Sequence, residues 1–184
     1  MACLITAGRE EVCKESVGGL QAVYFLNYTS GSFDKTAGDD STVPMPTIND
    51  LSGSTVYKYE LKGTSAYTET VNSSRENGTT FFSQELTVNL KKLTNEMTTQ
   101  LKLLAYGRPQ VIVHTKNGEA FLIGETEGAD LTAGTIQTGA GLGDLYGYSM
   151  TFTGTEPTPA VFLQNSTAAD PFAGLDGTPP VIMG

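Results

Sequence analysis

At 184 residues the chain is long enough for one domain with a real core, and a charged fraction of 17% with 21 glycines suits a β-rich protein full of turns. A formal net charge of −9 argues against the usual nucleic-acid grip, which needs clustered Lys and Arg to release counterions. No apolar run approaches the ~18–20 residues of a membrane span, and Met1-Ala2-Cys3-Leu4-Ile5 lacks the basic region and long apolar core of a secretory signal.

Residues 1–19 read as an N-terminal arm, with Glu10, Glu11, Lys14 and Glu15 on a short helix or exposed segment. Cys3 and Cys13 could close a short disulfide loop, but two reduced thiols are the favoured reading, because a metal site would need two further ligands. Leu20 to Tyr28 is β-branched and aromatic, and reads as a strand buried on both faces. Residues 29–55 are polar and aperiodic, a long loop expected to be ordered against a partner. Val56 to Lys62 alternates, with Tyr57, Tyr59 and Leu61 on one face and Lys58, Glu60 and Lys62 on the other. Residues 63–79 read as a second polar loop. Phe82 to Leu90 alternates again, with Phe82, Leu86, Val88 and Leu90 opposite Ser83, Glu85, Thr87 and Asn89.

Thr94 is a good N-cap and Glu96 suits the first turn of a helix over 95–106. Met97, Leu101, Leu104 and Ala105 make one apolar face, with Leu93 beside it. Gly107 is expected to supply a left-handed stop, Arg108 a cation at the negative end, and Pro109 the break. Lys116-Asn117-Gly118 joins Gln110–Thr115 to Glu119–Gly124 in a hairpin of expected type I′, with the apolar second arm under the helix. Leu131–Thr138 is a weaker strand, residues 139–144 a glycine-rich turn, and Tyr148, Met150 and Phe152 alternate in a last strand. Pro157 and Pro159 close a domain over 20–163, and residues 164–184 read as a C-terminal arm outside the core.

Parts for an enzyme are missing. His114 stands alone at a strand end and reads as a sheet-surface histidine. The glycines at 139, 141 and 143 lead into a strand, whereas a phosphate loop opens a helix. Asp39-Asp40 and Glu10-Glu11 read as solvated charge, and neither metal-ligand spacing nor a cofactor motif occurs. Sequons at Asn27, Asn72, Asn77 and Asn165 suit a chain rich in Asn, Ser and Thr without implying glycosylation. The expectation is a non-enzymatic structural protein without a cofactor, mostly β, a sandwich or barrel with one helix packed on it.

The stretch FFSQELTVNLKKLTNEMTTQLKLLAYGRPQVIVHTKNGEAFLIG, followed by GADLTAGTIQTGAGLGDLYGYSMTFTGTEPTPAVF, resembles virion structural proteins of tailed bacteriophages of Bacteroidetes-type hosts. The order of elements over residues 20–163 is most similar to tail tube (major tail) proteins. That resemblance implies a homohexameric ring stacked into a tube, with joined sheets lining a channel for double-stranded DNA. The loop and arms would bridge subunits. It also implies other tail or connector proteins as partners, a place in the virion tail after synthesis in the host cytoplasm, and no membrane. Glu60, Glu85, Thr87 and Asn89, on the wet faces of alternating strands, are the candidate channel-lining residues. Competing readings are another virion ring component (head–tail connector, baseplate or capsid-associated) and a surface adhesin or carbohydrate-binding β-sandwich.

Overall fold

The strand Leu20–Leu26 (β1) serves two cores at once. Val23 and Phe25 point into one apolar cluster, and Ala22, Tyr24 and Leu26 into another. Opposite projection of successive residues is what a strand dictates, so a run apolar at both parities must be covered on both faces. The computed structural model describes residues 8–11, 13–29, 33–36 and 45–183. Cys3 lies outside the described residues; Cys13 is exposed with a free thiol.

The elements that follow are β2 (Asp34–Lys35), β3 (Ile48–Asp50), β4 (Val56–Glu60), β5 (Ala66–Ser74), β6 (Thr79–Lys91), α1 (Asn95–Tyr106), β7 (Gln110–Thr115) and β8 (Ala120–Ile123). Then come β9 (Asp130–Gln137), β10 (Gly147–Glu156), β11 (Val161–Phe162) and β12 (Val181–Met183). A six-stranded sheet has the order β11-β8-β7-β1-β4-β12, and a four-stranded sheet the order β5-β6-β10-β9. The short pair β2-β3 stands apart. None of these sheets closes into a barrel, so the fold is mostly β, built of open sheets with one helix.

The two large sheets enclose the first cluster. Val23, Phe25, Val111, Val113 and Ile123 meet Leu86, Val88, Met150 and Phe152 across it, all at most 3% exposed. The second cluster lies on the far face of the six-stranded sheet. Its cover is made by Ile48 and Leu51 from one side of the sequence and Leu163, Phe172 and Leu175 from the other. The segment after residue 163 is therefore not an arm outside the core. It is stitched down by hydrogen bonds from Leu51 N to Gly177 O (2.9 Å), from Asp176 N to Asn49 O (2.7 Å) and from Val56 N to Pro180 O (3.0 Å). It ends in β12, which pairs in parallel with β4 through Val181–Val56, Ile182–Tyr57 and Met183–Lys58.

Two loop expectations also change. Residues 63–79 contain β5, which pairs with β6 along its whole length from Ala66–Thr87 to Ser74–Thr79. Gly78, at φ 63°, turns the chain there, a left-handed conformation that costs glycine little. In the segment 29–55, the described residues are held by their own chain: Ile48 and Leu51 are buried, and Thr36 N donates to Thr47 O at 2.8 Å.

Helix α1 occupies the span that its cap and apolar spacing foretold. Thr94 Oγ1 accepts from Met97 N at 3.1 Å. Leu93, Met97, Leu101 and Leu104 are half-buried, while Ala105 is exposed and no residue of the helix is fully buried. The exit differs from expectation. Gly107 is extended (φ −94°, ψ 173°), and its N–H bonds Leu103 O. Arg108 lies over the Tyr28 ring, 5.0 Å from the centroid, rather than on the last carbonyls. The hairpin turn differs too. Only Gly118 takes positive φ (97°), and Gly118 N donates to Thr115 O. That is a three-residue loop with glycine at its left-handed position, not a type I′ turn. The helix borders β9, and its Leu101 and Leu104 pack against the cluster that includes Ile123 of β8. Gln100, Leu103 and Leu104 also share a cleft with Phe25, Tyr57 and Tyr59 of β1 and β4. No helix among the described residues is long and apolar enough to cross a membrane.

Candidate functional site

The outer face of the four-stranded sheet is a regular surface of β5, β6, β10 and β9. Its rows follow from register. Thr68, Glu85 and Thr153 stand side by side, as do Thr70, Ser83 and Thr155. The next row is Ala66, Thr87, Thr151 and Ala133. Short hydroxyl side chains dominate, and no Lys or Arg stands in these three rows. Thr132 Oγ1 and Thr153 Oγ1 lie 2.9 Å apart, a cross-strand hydroxyl pair of the kind that ties sheet faces. The sheet's border strands, β5 and β9, have no further strand partner among the described residues.

Of the four channel-lining candidates, Glu85, Thr87 and Asn89 share this face, because they alternate along β6. Glu60 does not. It sits on β4 in the other sheet, paired in register with Ala22, and so points to the side of the second cluster. Its carboxylate binds Lys58 Nζ at 3.2 Å, an exposed pair worth a few tenths of a kcal/mol to about 1 kcal/mol. Asn89 is tied locally, its Nδ2 donating to Thr64 O and its N to Ser65 Oγ (3.1 Å). Glu60 and Asn89 do meet at one end of the sandwich. There they line a cleft of about 410 Å³ with Tyr59, Leu90, Met97 and the lysines 62, 91 and 92.

His114 is not on a sheet surface. It is 1% exposed, beneath the C-terminal segment, with Nε2 2.9 Å from Thr167 O. Burial holds its pKa below the ordinary value, against the opposing pull of the Thr167 carbonyl and Asp170. The glycine-rich turn offers nothing to an anion. Ala140 N and Gly141 N both donate to Asp144 Oδ2, at 2.9 and 2.7 Å, and those two donors keep the Asp144 carboxyl below its usual range. Among the described residues, no group of three or more His, Cys, Asp or Glu is arranged to hold a metal ion.

Sequence reasoning missed a buried polar cluster behind the sheet. Gln84, 1% exposed, accepts from Gly124 N (3.0 Å) and donates to Glu69 Oε1 (3.3 Å). Glu156, 2% exposed, accepts from Thr126 N (3.0 Å) and Glu127 N (2.9 Å) through one oxygen. The only signal was Gln84 falling at an inward parity of β6, between Phe82 and Leu86. These groups hold the loop 124–129 rather than a ligand. Compared with models of protein families, with curated proteins and with solved structures, the chain matches none.

Proposed function

We propose that the chain is the structural subunit of a bacteriophage tail tube, non-enzymatic, assembling into stacked hexameric rings around a DNA channel. One observation carries this reading: a four-stranded antiparallel sheet with two borders that no strand among the described residues covers and a hydroxyl-rich outer face without Lys or Arg across its central rows. Because β5 and β9 run in opposite directions, copies related by rotation about an axis along the strands would set β9 of one against β5 of the next in antiparallel pairing. Pairing of this kind removes exposed edges, which otherwise invite uncontrolled association. Glu85, Thr87 and Asn89 would then face the lumen, where the central rows carry no cation to grip passing DNA by counterion release and Lys91 stands only at the end of β6. Glu60 leaves the lumen set on this reading, since it belongs to the other sheet.

Negative-stain microscopy of the purified chain tests the proposal. Tubes or stacked rings are expected. Isolated rings would favour a connector or baseplate component, and a monomer at high concentration would end the reading.

A further inference from the structure

The cleft shared by Glu60 and Asn89 has a floor and a rim of different character. Tyr59, Leu90 and Met97 are half-buried and form the floor; Lys62, Lys91 and Lys92 are exposed around it. The chain has 11 cations in all, and three of them gather here against one carboxylate. That carboxylate, Glu60, is already engaged by Lys58. Among the described residues, none of the three lysines forms an ion pair. Lys92 is held at φ 71°, rare for a residue with a side chain, and its N–H is fixed on Tyr146 O at 2.7 Å. An acidic protein has thus kept a basic, apolar-floored cleft open.

The matching chemistry lies at the other end of the chain. Residues 8–11 and 13–16 are exposed, and among the described residues the hydrogen bond that joins the segment to the domain is from Val17 N to Asn117 Oδ1 (2.9 Å). It presents Glu10, Glu11 and Glu15, none of them in an ion pair among the described residues, with Arg9 and Lys14 interspersed, so its negative charge is concentrated in the Glu10-Glu11 pair. The sequence Glu10-Glu11-Val12-Cys13 sets two carboxylates beside two small apolar residues, the complement of a lysine rim over an apolar floor. From this charge complementarity we infer that the cleft receives the Glu10-Glu11 pair of the N-terminal segment of a second copy of the chain. The inference rests on the self-assembly proposed above and supplies a contact that sheet pairing leaves out. Such pairs fix register and partner choice more than they add raw affinity.

The test uses the full chain. Labelled (¹⁵N) and unlabelled protein are mixed, assembled and treated with a zero-length carbodiimide, and the cross-links are mapped by mass spectrometry. The expected products join Glu10, Glu11 or Glu15 to Lys62, Lys91 or Lys92 in mixed isotopic pairs. Their absence, or same-isotope pairs alone, would overturn the inference. In parallel, Lys91→Glu with Lys92→Glu should lower the sedimentable fraction about tenfold or more at unchanged circular dichroism, since like charges across a contact cost several kcal/mol. Adding Glu10→Lys and Glu11→Lys to that chain should restore assembly. Assembly that survives the reversal, or is not rescued by the swap, also sinks the idea while the tube reading stands. A wild-type chain that never assembles removes both.

Discussion

The hydroxyl of Tyr148, a residue fully buried on β10, touches Thr94 twice at the start of α1, Thr94 N at 3.2 Å and Thr94 O at 2.9 Å, and also Thr98 Oγ1, one turn on, at 2.8 Å. This hydroxyl ties the helix to the four-stranded sheet, where the helix's own apolar burial is modest. Leu101 and Leu104, each half-buried, contribute about 1 kcal/mol apiece. Tyr148→Phe should therefore cost ~1–2 kcal/mol and raise amide exchange across residues 94–100, with the rest of the domain unaffected. Exchange confined to global unfolding in both proteins would show that the tie is not what holds α1.

Phe172 is the anchor of the C-terminal segment. Its ring stands edge-on to Tyr24, with centroids 5.1 Å apart and planes at 75°. Phe172→Ala should destabilise by about 3–4 kcal/mol, read from urea denaturation, because a fully packed aromatic leaves a cavity. A segment that were a mere arm would show no change.

His114 gives the fold a pH dependence of definite sign. Its pKa is lowered on folding, so the unfolded chain binds the extra proton. Stability should be level above the ordinary histidine value of about 6.5, fall as pH drops below it, and level again under the folded value. The urea midpoint should thus be lower at pH 5.5 than at pH 7.5, and His114→Gln should remove most of that difference. An equal drop in the variant would assign the effect elsewhere.

The carboxyl group of Glu156 holds the turn of loop 124–129. Glu156→Ala would strand the N–H groups of Thr126 and Glu127, at a cost of ~2–3 kcal/mol. Exchange at those two amides should rise far more than at Val88 or Met150 in the sheet; a uniform rise would mean the loop is not separately secured.

How far the sequence could be read follows from what each element depends on. Helix α1 depends on Thr94, Glu96 and Pro109, all within its own span or next to it, so its limits were legible. Strands β6 and β10 carry their faces in their alternation, which is why Glu85, Thr87 and Asn89 could be grouped. Strand β5 could not be seen. In AYTETVNSS the outward Thr68, Thr70 and Asn72 and the inward Glu69 and Ser73 are equally polar, since much of the strand is exposed and its order comes from pairing with β6. The cover made by Phe172 and Leu175 was hidden for another reason. Two isolated apolar residues among Gly, Pro and Asp have no period, and their burial is decided by Tyr24 and Ile48, far away along the chain. Glu60 falls on a different sheet from Glu85, because alternation gives a residue's parity within its own strand and says nothing of which sheet that strand joins.

The parallel seam between β12 and β4 joins residues 125 positions apart. During synthesis the border of β4 must wait for Val181–Met183 to leave the ribosome, on the order of ten seconds after β4 itself emerges. The border of β4 thus stays open through that interval, and Val181–Met183 act as a late seal along one side of the sheet.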